Sequence, residues 1–498
     1  MNLKSILARP FANYIYNKIK KGMDTAVLDQ ENILKQLLKD AGHTQFGNDH
    51  GFNDIQTYEQ FKQQVPIRDY EALKPYINKV KEGQENILWK GKPIYFAKTS
   101  GTTSGIKYIP ISKDSIDNHI NSARNAILCY IAETGNAAFT GGKMIFLSGS
   151  PVLERTGGIP TGRLSGIVNH HIPKYLRTNQ LPSYETNCIE DWETKLDKIV
   201  EETIHRDMTL ISGIPPWMQM YFDRLTQLSG KKIKDLYPNF QVMVYGGVNF
   251  DPYKAKLFDS IGKQIDSIET FPASEGFFAF QDSQTAEGLL LNTNSGIFFE
   301  FVPAGEIFNE NPTRLSLRDV KVGENYALII SNNAGLWAYN IGDTVKFVST
   351  APHRLVVTGR TKHFISAFGE HVIGEEVEYA LMKVAEQQGV KIVEFTVAPM
   401  VQQGKGQSYH EWFIEFENQP VDMEAFREQV DNNLRGKNVY YDDLIAGNIL
   451  QRLQITQVRR NGFIDYMKSI GKLGGQNKLP RLSNDRKVAD ALQPYLLA

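Results

Sequence analysis

Three short apolar runs that each close on a glycine constrain this chain most. Lys143-Met144-Ile145-Phe146-Leu147 runs into Ser148-Gly149, Met208 to Ile211 into Ser212-Gly213, and Gln241 to Tyr245 into Gly246-Gly247. A fourth run, Ile265 to Glu269, ends in Thr270-Phe271-Pro272-Ala273-Ser274-Glu275-Gly276. Between them lie helical patterns: residues 189–206, and a helix opened by Pro215-Pro216, whose fixed φ suits a first turn. Strands alternating with helices predict α/β layers. Ligands of open α/β sheets bind beyond the carboxyl ends of strands, so both glycine-bearing ends are candidate ligand walls. Glycines there let a flat ring lie against backbone, Phe271 offers a stacking face, and Glu275 can hold a divalent cation. Each also reads as a plain turn.

Upstream, Ser100-Gly101-Thr102-Thr103-Ser104-Gly105 lies between Lys98 and Lys107, with a strand-like segment, Pro93 to Ala97, before it. Glycines, hydroxyls and lysines in one loop can wrap a polyphosphate. The Walker ending is missing, and a polar surface loop is the alternative. Residues 1–45 read as helices, with Ile33, Leu34, Leu37 and Leu38 at helical spacing and Gly42 as a stop. Asp69 or Tyr70 opens another helix, and residues 113–134 form a long one carrying Arg124. A guanidinium suits an acid substrate's carboxylate, although a solvated arginine reads equally from the pattern. Residues 151–187 show little periodicity, as a functional loop would. Their paired His170-His171 is poorly spaced for a metal ion.

Residues 288–348 are β-rich and include Gly342-Asp343. A carboxylate in that apolar context needs a partner, and a ribose diol is one. The expected division is a large domain over 1–358, a hinge at 359–362 with Arg360, Thr361 and Lys362, and a small α+β domain over 363–498. That is an ordinary domain size. Near its end a glycine-rich loop, Gly471 to Arg481, carries Lys478.

The 498 residues carry a formal net charge of −1, so no global basic field points to nucleic acid or an anionic membrane. The two cysteines form no C-x-x-C pair, and a reducing, cytoplasmic setting fits. The first residues lack a signal peptide's apolar core, and no window is apolar enough to span a bilayer. A monomer without nucleic-acid or membrane partners is expected.

Taken together these stretches resemble the acyl-adenylate-forming superfamily. The superfamily's phosphate loop is matched by Ser100 to Lys107, with Ile106 where proline is usual. Gly246-Gly247 resembles its adenine wall, and Phe271-Pro272-Ala273-Ser274-Glu275 its Tyr-Gly-x-Thr-Glu motif. Tyr339 to Asp343 resembles the ribose motif, and Gly359 through Ile365 and Gly369 to Val372 the hinge. Within the superfamily the chain is most similar to the auxin-responsive acyl-acid amido synthetases, the Gretchen Hagen family, in a bacterial-type form. That likeness rests on Val65 to Tyr70, Lys74 to Ile77, Phe299 to Pro303, Val322 to Tyr326 and Asn477 to Arg481. Asn340, where the family tends to have arginine, and Phe271, where tyrosine is common, depart from it.

The resemblance implies a large α/β N-terminal domain of the firefly-luciferase-like type and a small mobile C-terminal domain. It implies adenylation of a carboxylic acid by Mg-ATP, then acyl transfer to an amine, with an amino acid as the expected acceptor. Ser100 to Gly105 and Lys107 would hold phosphates, Glu275 magnesium, and Asp343 the ribose. Gly246, Gly247, Phe271, Pro272, Ala273, Ser274 and Arg360 would complete the nucleotide site, with Lys478 acting at the α-phosphate. An acyl- or aryl-CoA ligase, a carrier-protein loading enzyme and a non-catalytic nucleotide or acyl-acid sensor stay open.

Overall fold

The structure, a computed structural model, describes residues 3–100, 106–172, 177–247, 250–361, 364–365, 372–400, 408–446, 450–474, 478–483 and 485–497. Gly101 to Gly105, Lys362, His363, Gly369 and Asn477 lie outside this set.

Twenty strands are described. β1 (Tyr95–Ser100), β2 (Ile106–Ile111), β3 (Lys143–Phe146), β4 (Glu154–Thr156), β5 (Ile159–Gly162) and β6 (Gln180–Leu181) come first. β7 (Met208–Ser212), β8 (Val242–Gly246), β9 (Asp266–Ala273), β10 (Gly276–Phe280) and β11 (Leu289–Leu291) follow. Then come β12 (Ile297–Pro303), β13 (Asn325–Asn332), β14 (Tyr339–Thr350) and β15 (His353–Arg360). The last are β16 (Phe364–Ile365), β17 (Val372–Ile373), β18 (Lys391–Met400), β19 (Tyr409–Asn418) and β20 (Gln454–Val458).

An eleven-stranded sheet runs β12-β13-β14-β15-β11-β10-β9-β8-β7-β3-β6. Its β6-β3-β7-β8-β9 part is parallel, and β9-β10-β11-β15 is antiparallel. The parallel strands are apolar on both faces, as strands covered by helices must be. β2-β1-β5-β4 form a second sheet, and β18-β19-β20 a third.

Local chemistry sets the helix ends. Asp69 caps Tyr70–Lys81 by accepting from the Ala72 N–H at 3.2 Å, and Pro215 sits in the first turn of Pro215–Ser229. Ser112 Oγ accepts from the Asp114 and Ser115 N–H groups just before the helix Ile116–Thr134. Two stretches singled out in sequence meet around one buried charge. Glu300 on β12 is fully buried and takes a bidentate bond from Arg314, whose Nη1 also donates to the Val65 carbonyl. Tyr58 donates to the same carboxylate, which pins the segment before Pro66 to the sheet.

Two expectations need correction. Residues 151–187 contain β4, β5, β6 and the helices Leu164–His170 and Tyr184–Asn187. These elements span two to seven residues, too short for periodicity to register, and β5 is held by a distant partner, β1. The fourth apolar run does not end at Glu269. β9 continues through Ala273, with Pro272 opposite Phe277, and only Ser274-Glu275 form the turn.

The backbone divides into two compact units. The large one comprises Met1–Val248, Ser260–Ile341 and Val345–Val356; the small one comprises Asn249–Asp259, Gly342–Thr344 and Val357–Ala498. In the large unit, the main core includes Phe46, Phe96, Phe299, Ile329 and Trp337. In the small unit, the helix Gly374–Gln388 and β18-β19 bury Leu381, Phe395, Trp412 and Ile414.

Candidate active site

In the large unit, candidate groups gather where β3, β7, β8 and β9 end. A Cβ added at Gly246 would sit 2.3 Å from the Thr270 carbonyl oxygen, so β8 approaches β9 too closely there for any side chain. Gly247 follows with φ at +80° and turns the chain away.

The β9–β10 turn presents Ser274 and Glu275 and is fastened from two sides. Asn332 Nδ2 donates to the Glu275 carbonyl at 2.8 Å, while its Oδ1 accepts from the Ala334 and Leu336 N–H groups. Asn118, on Ile116–Thr134, accepts from the Phe277 N–H at 2.7 Å and donates to its carbonyl at 3.1 Å. Both amides are buried. Sequence reasoning missed both, because a lone amide in a helix or strand has no periodic signature. Among the described residues no three His, Cys, Asp or Glu side chains group as a metal cage. A single carboxylate at a rigid turn fits a hard cation that brings its other oxygen ligands on phosphates.

Phe271 offers no open ring. It is buried edge-to-face against Phe278, with centroids 5.1 Å apart, because its position in β9 points it into the core. The expected stacking face is thereby corrected; Pro272 and Ala273, both half-buried, continue β9 past Thr270, the partner of Gly246. Arg124 is exposed and donates to Asn125 Oδ1. His119, one turn earlier, is the buried neighbour. The β1–β2 hairpin pairs Thr99 with Lys107 and Ser100 with Ile106, and therefore places both ends of the hydroxyl-rich loop together. Lys107 lies over the Tyr70 ring at 5.7 Å. His170 and His171 bond separately, to the Pro151 carbonyl and to Tyr95.

In the small unit the structure brings Asp343, Arg360 and Lys478 together. Arg360 Nε lies 2.9 Å from Asp343 Oδ1, and the Thr361 N–H donates to the Gly342 carbonyl. Lys478 is exposed to solvent, yet protein packed around it strips bulk water from its ammonium group. That loss of water pushes its pKa down to about 8, with Asp343 opposing and Arg360 adding to the effect. The chain just beyond is zipped onto β18: the Val397 N–H donates to the Arg481 carbonyl and the Ser483 N–H to the Val397 carbonyl. Arg481 pairs with Glu378 at 3.2 Å and with Glu394, takes Tyr253 as a further partner, and stacks over Phe395. Lys478 thus projects from a tightly anchored segment.

A large mixed α/β unit built on an eleven-stranded sheet, and a smaller unit with a sheet of its own, are the architecture of the adenylate-forming ligases. The solved structure of a GH3.15 acyl acid amido synthetase superposes with a TM-score of 0.80 over 97% of this chain and 96% of that one, at 15% identity. Among curated proteins, the indole-3-acetic acid-amido synthetase GH3.3 of Arabidopsis thaliana is 22% identical over 94% of this chain and 91% of its own length. The jasmonoyl–L-amino acid synthetase JAR4 of Nicotiana attenuata is 23% identical; 64% of this chain matches, spanning 66% of that relative. Models of the GH3 family N-terminal, central and C-terminal domains match residues 15–185, 290–360 and 375–487. The chain belongs to the GH3 family.

Proposed function

We propose that this protein is an acyl acid amido synthetase that adenylates a carboxylic acid with ATP and passes the acyl group to an amino acid. The correspondence of the whole chain with an acyl acid amido synthetase fold, from the first sheet to the small unit, carries this reading. In the first step a carboxylate oxygen bonds to the α-phosphorus, the bond to the bridging oxygen breaks, and pyrophosphate leaves. In the second, a neutral amine bonds to the acyl carbon, its proton is lost, and AMP departs with the C–O bond electrons.

The chain's own residues supply positioning and charge rather than a covalent intermediate. Ser100 to Gly105 and Lys107 hold the β- and γ-phosphates. Gly246-Gly247 and the strand edge at Pro272-Ala273 flank the adenine, and Asp343, oriented by Arg360, takes the ribose hydroxyls. Glu275 would hold a magnesium ion carried with the nucleotide, which would offset phosphate charge. Lys478 offsets charge on the α-phosphate as it builds. Rotation about Arg360, Thr361 and Lys362 then withdraws Lys478 and admits the amine.

The test is pyrophosphate release from Mg-ATP across a panel of aromatic and aliphatic acids, with no acceptor, with mixed amino acids, or with CoA. Stimulation by amino acids with an amide found by mass spectrometry is the expected result. Stimulation by CoA alone would make the protein a CoA ligase, and silence with ATP still bound a sensor.

A further inference from the structure

A second cationic feature in the large unit has no role in that scheme. Arg163 follows β5 and lies across Gly149, where a Cβ would come within 2.8 Å of its Cδ. Gly149 stands just past the carboxyl end of β3, next to β7, whose neighbour β8 ends in Gly246-Gly247. Two strand spacings of about 4.8 Å separate the Arg163 end from that wall, roughly 10 Å in all. Arg163 is half-buried, and among the described residues no carboxylate or carbonyl accepts from its guanidinium within bonding distance. Its one facing acid, Glu190, is exposed and acts only from afar.

Three neighbours give the place its character. The Ser148 hydroxyl is nine-tenths buried and has no hydrogen-bond partner. Lys195 is buried at 2% exposure and spends its bonds on two carbonyls, Ser148 O at 2.9 Å and Asn187 O at 2.8 Å; among the described residues no carboxylate pairs with it, and the nearby Cys188 only partly favours its charge. Burial pushes its pKa down to about 8, with Arg163 adding to the shift. The loop is rigid: the Gly149 N–H donates to Ser165 Oγ, and a Cβ on Gly166 would strike the Ser150 carbonyl at 2.3 Å. Two partly desolvated cations, with the exposed Glu190 as the acid acting on Arg163, and an unpaired hydroxyl suit an anion.

We infer that Arg163, with the Ser148 hydroxyl beside it, binds the α-carboxylate of the acceptor amino acid. This rests on the amido synthetase reading. The acyl acid's carboxylate becomes an uncharged mixed anhydride carbon and then an amide, so it needs no permanent cation. The acceptor's carboxylate stays ionised throughout. Positive charge next to it also favours the neutral form of the adjacent amine, which is the form that attacks. Arg163 makes the contact and Lys195 supplies background field from behind the strand end.

Phenylglyoxal labels free guanidinium groups, and mass spectrometry of the peptide carrying Arg163 reads that label without any turnover. Single amino acids are expected to protect Arg163, while the matched amines lacking a carboxylate leave it labelled. Protection by monocarboxylic acids such as benzoate, with none by amino acids, would assign the site to the acyl acid and overturn the inference, as would no protection at all. In amide formation, the preference for an amino acid over its matched amine should fall at least tenfold in Arg163→Gln and be partly restored in Arg163→Lys; an unchanged preference would overturn it too. If Arg163 is protected but no amide forms with any acid, the site stands and the amido synthetase reading fails instead.

Discussion

The turn that carries Glu275 and the segment that carries Lys478 are both held firmly, by opposite chemistries. Asn118 and Asn332 fasten the turn with neutral amides that bond only to backbone. Arg481 fastens the lysine segment with charge, against Glu378 and Glu394. Neutral anchors add no formal charge beside Glu275. Charged anchors tie the Lys478 segment to protonation state and to the completeness of a buried network. The comparison teaches that rigidity alone does not say how a site will respond to substitution; the chemistry of the anchor does.

The sharpest test removes the working group on the charged side. Lys478→Ala should lower acid-dependent pyrophosphate release by about a thousandfold, near 4 kcal/mol, with ATP binding retained by titration. Loss of ATP binding would show that the lysine serves affinity. Arg481→Gln leaves two nearly buried carboxylates without their cation and should destabilise the small unit by about 3 kcal/mol in urea denaturation. On the neutral side, Asn332→Ala deprives two N–H groups and one carbonyl of partners and should cost about 2 kcal/mol, with no added salt dependence. If Asn332→Ala proves as salt-sensitive as Arg481→Gln, the contrast is broken. Asp343→Ala should weaken ATP binding about tenfold, near 1.4 kcal/mol, and unchanged affinity would remove its ribose role.

The smallest effect is in pH. The Lys478 pKa lies near 8, below the ordinary 10.5, so the charged form is lost as pH rises through 8. Adenylation by the wild type should fall roughly threefold between pH 7.5 and 8.5 on this account, while binding that depends on Glu275 stays flat. A plateau to pH 10 would mean the lysine remains fully charged.

β3, β7 and β8 were legible in the sequence because each is a continuous apolar run closely followed by glycine. Pro272 hid the continuation of β9, because a proline in a strand usually marks an edge or an end. The inward turn of Phe271 followed from that continuation and was hidden with it. β4 and β5 were hidden because three or four residues carry no period and the strand that ties β5 into its sheet, β1, is remote. The anchoring roles of Asn118, Asn332 and Arg481 depend on contacts across more than fifty positions of chain, which composition does not encode.

The small unit is not one continuous length of chain: Asn249–Asp259 and Gly342–Thr344 belong to it along with everything from Val357. No single cut therefore releases it. A fragment starting at Val357 would leave behind Tyr253, which bonds to both Arg481 and Glu394, and Asp259, which lies 3.5 Å from Lys391. It would also lack Asp343, the counter-charge of Arg360. Dissection by truncation would report on a damaged piece, whereas a split protein whose halves are mixed back together keeps all three segments within reach of one another.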